Sequence, residues 1–231
     1  MVNNVNIEVV IDFRIGETAV MSTAAAPSPG YPRKRRQTRR RLLRAGTVVL
    51  VESGPAHVTA GQIATAAGVA VGTFYNHFPS VEDFIDAVAD DLSTAIEIGR
   101  DTLNEIEHDP GRRVAIGVLQ LLDLADTDPT SAAAFVSLAA LRPDFRGRIR
   151  SLVGDAISDG VQAQCFDVAA GPAATNAVLG AALQSMRSRV LGETESQEAP
   201  VVAGLVLRLL GMADADIAAA LEHAQEMLTA A

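Results

Sequence analysis

VTAGQIATAAGVAVGTFYNHFPSVEDFIDAV, residues 58–88, decides the fold. Thr59 stands just before an apolar-periodic run and suits a helix N-cap, its hydroxyl accepting a free backbone N–H. The helix it opens runs through Ala66. Gly68 then sits where the chain needs a left-handed turn, which glycine adopts at little cost. A second short helix covers roughly 71–76, and Ser80 caps a long one whose apolar positions begin Val81, Phe84, Ile85, Val88 and continue to Leu103 and Ile106. Two short helices cross closely only where the first is small, and Ala64 meets that need, with Ile63, Val69 and Phe74 as buried residues that lock the angle. This is the layout of a helix-turn-helix, in which one helix buttresses another lying in the DNA major groove. A plain αα-hairpin with a glycine turn shares the first half of the pattern; the aromatic segment after it separates the two.

Working outward, the charge is uneven. Between Tyr31 and Ser80 eight Lys/Arg stand against Glu52 alone, a net +7, whereas residues 81–231 carry ten Arg and twenty-four Asp/Glu, a net −14. A basic segment on an acidic body suits polyanion binding by one part and its repulsion by the other. Upstream, residues 1–35 read as an unstructured extension: Ala24 to Pro32 has linker composition, the strand-like Val5 to Ile15 has no partner, and Met21 is a candidate start. Helical periodicity begins near Arg36, with Leu42, Leu43, Ala45, Gly46, Val49 and Leu50 on one face and arginines on the other, and Gly54-Pro55 ends it. Downstream the pattern stays helical, with breaks at Asp109-Pro110-Gly111, Asp128-Pro129, Pro143, around Gly160, at Gly171-Pro172, over Gly192–Pro200 and at Gly211. The fold expected is all-α: an N-terminal helix-turn-helix three-helix domain over 36–80, then a larger helical domain over 81–231.

The residues T59-A-G-Q-I63-A64-T-A-A67-G68-V69-A-V-G72-T73-F-Y75-N-H77-F78-P-S80-V-E82-D-F84 closely resemble the DNA-binding domain of the TetR family of dimeric transcriptional regulators. The resemblance is strong from about Arg36 to Val88 and elsewhere rests on helical character and spacing. It implies that Val71, Gly72, Thr73 and Asn76 face the groove of double-stranded DNA, while Thr59, Tyr75 and His77 bond phosphates. For Tyr75 and His77 the alternative is packing at the hinge before the long helix. Arg36 and Arg40 join the contact set as phosphate-binding cations. The family usually has Lys where this chain has Val81; the run Arg33 to Arg41, with its flexible part in the minor groove, is expected to compensate.

By the same resemblance the acidic region binds a small-molecule effector and forms a homodimer on a palindromic operator. Dimer candidates are Ala173–Leu191, with small Ala174, Ala177, Gly180, Ala181 and Ala182, and Val201–Leu210, with Val202, Leu205, Leu209 and then Met212 as an apolar stripe. The other reading packs both inside one protomer. Leu103, Gln120, Leu121, Phe135, Phe145, Gln184 and Met186 are candidate pocket linings or plain core. Two Tyr, seven Phe and no Trp favour an apolar or small amphipathic effector over a large planar one.

Other classes are not expected. No stretch reaches the roughly 18 apolar residues of a membrane span. No secretory signal is evident, and with Cys165 as the single cysteine a cytoplasmic setting is expected. His57, His77, His108 and His223 are scattered, with no metal or general-base arrangement and no phosphate-cradling glycine loop, so no enzyme, cofactor or metal site is expected. The competing function is a DNA-binding regulator without a ligand, controlled by a partner protein or constitutive.

Overall fold

The computed structural model describes residues 31–229 and is all-α. Helix α1 spans Tyr31–Ser53, α2 Ala60–Ala66, α3 Val71–Tyr75 and α4 Val81–Ile106. Six more follow: α5 Pro110–Thr127, α6 Pro129–Leu141, α7 Pro143–Gln162, α8 Pro172–Val190, α9 Ala199–Leu209 and α10 Asp214–Thr229. Among the described residues there is no strand, and no helix is long and apolar enough to cross a membrane. The readings of Val5 to Ile15, of the Met21 start and of most of the linker lie outside the described residues.

Helix starts follow local chemistry. Thr59 and Gln62 form a reciprocal capping box on α2, and Ser80 accepts the Asp83 N–H at 3.0 Å to cap α4. Asp109 and Asp128 cap α5 and α6 in the same way, accepting from the N–H groups of Arg112 at 2.9 Å and Ser131 at 3.1 Å. Each helix from α5 to α9 has proline in its first turn, where the missing N–H is not needed.

Two elements differ from expectation. Helix α1 begins at Tyr31, so Arg33 to Arg41 are helical and the minor-groove arm expected of them is a rigid helix face. The reason is propensity: Arg, Lys and Gln are good helix formers, and nothing in YPRKRRQTRR after its proline interrupts a helix. The second concerns detail only: the break expected around Gly160 falls just after it, with α7 ending at Gln162. A Cβ on Gly160 would fall 2.0 Å from the Phe166 ring, so this glycine serves close packing, and the positive φ of 58° at Gln164 makes the turn.

The N-terminal helices close around an aromatic cluster. Phe74, Phe78 and Phe84 are buried with ring centroids 5.3–6.1 Å apart, so the first turns of α4 share one core with α2 and α3 across the expected boundary at residue 80. Helix α1 packs against α2, α4 and α6, while α5 lies centrally, touching α4 and α6 to α10.

Candidate nucleic-acid interface and internal cavity

The short helix α3 is held from behind and open in front. Phe74 is fully buried, Ala64 and Ile63 lie beneath it in the core, and Gly68 turns the chain with φ +62°. On the other side Val71 and Tyr75, one turn apart, are 44% and 52% exposed, with Gly72 and Asn76 exposed beside them. The Tyr75 ring stands edge-on to Phe74 at 5.4 Å, which fixes its direction while leaving the hydroxyl outward. Thr73 and His77 are half-buried at the edges of this face. The six reader residues expected from the sequence therefore share one rim.

Thr59 is exposed but already engaged: its hydroxyl donates to Gln62 Oε1 at 2.8 Å and accepts the Gln62 N–H. A phosphate bond donated by that hydroxyl would have to displace Gln62. Val81 is half-buried against the core, so the position where the family usually has Lys is here a packing position.

The basic face of α1 reaches this rim. Arg36 is exposed and Arg40 half-buried, one turn apart. Within the run Arg33 to Arg41, which the sequence marked only as a whole, Arg35 and Arg39, one turn apart, form a second row beside Arg36 and Arg40. The Arg39 guanidinium lies 4.7 Å from the centre of the Phe78 ring, and Arg41 donates to the Gly68 carbonyl of the turn at 3.4 Å. Partial burial, then Arg35, then Arg39, hold the His77 imidazole below its usual pKa. Cations, a phenol and an imidazole thus converge on the open side of α3, a composition suited to a phosphate backbone.

Behind this region a cavity of about 400 Å³ opens between α4, α5, α6, α7 and α8. Of the residues expected to line a pocket, Leu103, Gln120, Leu121 and Phe135 do so, and Val118 joins them. Phe145, Gln184 and Met186 do not. Phe145 packs edge-on against Phe135 at 5.3 Å, Met186 is wholly in the core, and Gln184 lies exposed beside a smaller groove on α8. Periodicity marks which residues turn inward on each helix; it does not tell which inward residues stop short of contact and leave room. Arg113, Ile149, Leu152 and Val153 line the cavity and were not foreseen.

Ion pairs tie the cavity wall to the reader. Arg142, in the link between α6 and α7, bridges Glu82 and Asp86 on the first turns of α4, and Arg148 of α7 meets Asp90 at 2.7 Å. Glu82, Asp86 and Asp90 form one row along α4, each a turn apart.

Residues 42–88 match the family model described as bacterial regulatory proteins, tetR family. Uncharacterized HTH-type transcriptional regulators of Mycobacterium tuberculosis and Mycobacterium bovis are 31% identical over 116 residues, 48% of this chain and 56% of theirs. The chain thus spans little more than half the length of these curated relatives. Among solved structures, a gamma-butyrolactone receptor described as an ArpA-like protein superposes with a TM-score of 0.65 at 18% identity over 86% of this chain and 99% of that one. RolR in complex with resorcinol gives 0.60 at 23% identity over 82% and 95%. FadR of Bacillus subtilis in complex with stearoyl-CoA gives 0.60 at 19% over 72% and 96%. At these identities the likeness is one of fold.

Proposed function

We propose that the chain is a regulator of the TetR family that works as a homodimeric repressor released from a palindromic operator by a small ligand. The observation that carries the reading is the joining of an exposed, buttressed α3 to a cavity in one molecule. Val71, Gly72, Thr73 and Asn76 read the groove; Tyr75, His77, Arg36 and Arg40 hold phosphates, with Arg35 and Arg39 added from their place beside His77. Thr59 contributes on giving up its bond to Gln62. One reader covers only a half-site, and two-fold operators space half-sites by about 34 Å or a multiple of it.

The dimer surface proposed is the outer face of α8 and α9. Leu205 and Leu209 of the expected stripe are exposed and Val201 joins them at one-turn spacing, whereas Val202 and Met212 are half-buried within the protomer. On α8, Ala177 and Gly180 face outward with Ala173, while Ala174 and Ala182 are buried inside. Small residues on one helix and an apolar stripe on the next suit a four-helix packing between protomers.

Release is proposed to work through α4. Its second half lines the cavity at Leu103, its first half carries the aromatic core of the reader, and Arg142 and Arg148 clasp it from the α7 side. A ligand that binds one setting of α4 better than another shifts the population of reader spacings. RolR and the Bacillus subtilis FadR, of like fold, were solved with small molecules, which supports a ligand here. Selection of genomic fragments by the purified protein tests the proposal. A single enriched two-fold sequence is expected; well-folded protein that enriches none would overturn it.

A further inference from the structure

Gln120 lies on the fifth helix in a setting that its own fold does not satisfy. It is 8% exposed and lines the cavity, and among the described residues neither its Oε1 nor its Nε2 has a hydrogen-bond partner. Leaving both ends of a buried amide unpaired is costly, and leucine of similar size would avoid that cost. The wall around it is aliphatic, built from residues such as Ile96, Leu121, Ile149, Leu152 and Val178, with Phe135 as its aromatic member. No charged residue stands beside Gln120 along the cavity face of its helix. The nearest on that face is Arg113, seven residues and hence about 10 Å away along the axis. Arg113 is in turn paired to Asp159 at 3.8 Å and Arg100 to Asp101 at 2.8 Å, so both cations of the lining already have partners, and Asp155 is exposed to solvent.

We infer that the ligand is a neutral, compact, mainly aliphatic molecule carrying one group that both donates and accepts a hydrogen bond, such as an alcohol or a carboxamide. The donor meets Gln120 Oε1 and the acceptor meets Nε2, which satisfies both ends of the side chain at once. A carboxylate or ammonium at that depth would lose its hydration without a counter-charge, so ions are rejected. A volume of about 400 Å³ falls in the lower part of the range for ligand pockets, roughly 300–1,000 Å³, which favours a compact body. Gly117 adds room: it lines the cavity one turn from Gln120, and a Cβ built there meets nothing within 4 Å. The inference rests on the cavity being the effector site.

Two variants separate the inference from that premise. Gly117→Leu fills the cavity from a position where added bulk meets no neighbour at its Cβ, and Gln120→Leu keeps the shape but removes the amide. Binding of 1-octanol, octanamide and octanoate to the full chain is measured by calorimetry, with circular dichroism as the check of folding. The alcohol and the amide are expected to bind wild type, to weaken about tenfold or more in Gln120→Leu and to be lost in Gly117→Leu. Ligand-free Gln120→Leu is expected to melt above wild type. Equal binding to wild type and Gln120→Leu, with loss only in Gly117→Leu, would overturn the role of Gln120 and leave the cavity as the site. Octanoate binding in preference to the neutral probes would overturn the ligand class alone. No binding of any probe to wild type at millimolar concentration would overturn the class, and binding unaffected by Gly117→Leu would overturn the cavity reading itself.

Discussion

Single residues set both the rigidity and the chemistry of the reader. Gly46 is where α1 comes closest to the aromatic core: a Cβ there would fall 2.5 Å from Phe84 and 2.8 Å from Ile63. Alanine gains roughly 1 kcal/mol of helix propensity, but overpacking a tight core costs about 1–3 kcal/mol. Gly46→Ala should therefore lower the melting temperature, as thermal unfolding will show. His77 supplies a pH test. With its pKa held below 6.5, the folded chain keeps the ring neutral where the unfolded chain would take a proton. Its contribution to stability is present above about pH 6.5 and is lost as pH falls through the folded value. A phosphate beside the ring acts in the opposite sense and favours its protonation. DNA affinity should rise between pH 8 and pH 6, and His77→Gln should flatten that rise in titrations followed by fluorescence anisotropy.

Among the elements, the reader was largely legible in the sequence, because its turn, caps and aromatics each demand a particular residue type. Thr59, Gly68, Ser80 and Phe74 announce their places through hydrogen-bonding capacity, backbone freedom or size. The expected start of α1 missed its first five residues because a charge run in a good helix-forming sequence has no apolar face to reveal it. The cavity was half legible: Leu103, Gln120, Leu121 and Phe135 line it, but Phe145 and Met186 do not. Inward-facing periodicity is common to lining and core, and only the distances between helices separate them. Arg142 was not legible at all, since its partners lie some sixty residues earlier in the chain. It joins elements rather than stabilising one. Exposed ion pairs of this kind contribute at most about 1 kcal/mol, so Arg142→Ala should barely change the melting temperature. Its effect should be on coupling: a ligand that weakens operator binding in wild type should weaken it less in the variant, as measured by anisotropy with and without ligand.

For the whole molecule, the charge asymmetry and the two unpartnered helix faces act together. In the proposed complex the basic end is drawn to DNA while the acidic body is repelled, which orients each protomer with α3 toward the duplex. Val201, Leu205 and Leu209 are exposed, and they are the surface on which the proposed second protomer packs. In a two-fold interface each residue acts twice, so Leu205→Glu would set two carboxylates into one apolar contact. It should yield monomers by sedimentation at micromolar concentration while leaving the helical circular dichroism unchanged. The central claim is that the open face of α3 binds DNA, and salt-titrated binding to an enriched genomic fragment, with Tyr75→Ala alongside wild type, tests it most directly. Affinity falling steeply with salt, and roughly ten- to hundredfold weaker binding by the folded variant, as for loss of a hydrogen bond to a charged group, is the predicted result. Binding that ignores salt, or that is unchanged in Tyr75→Ala, would contradict it.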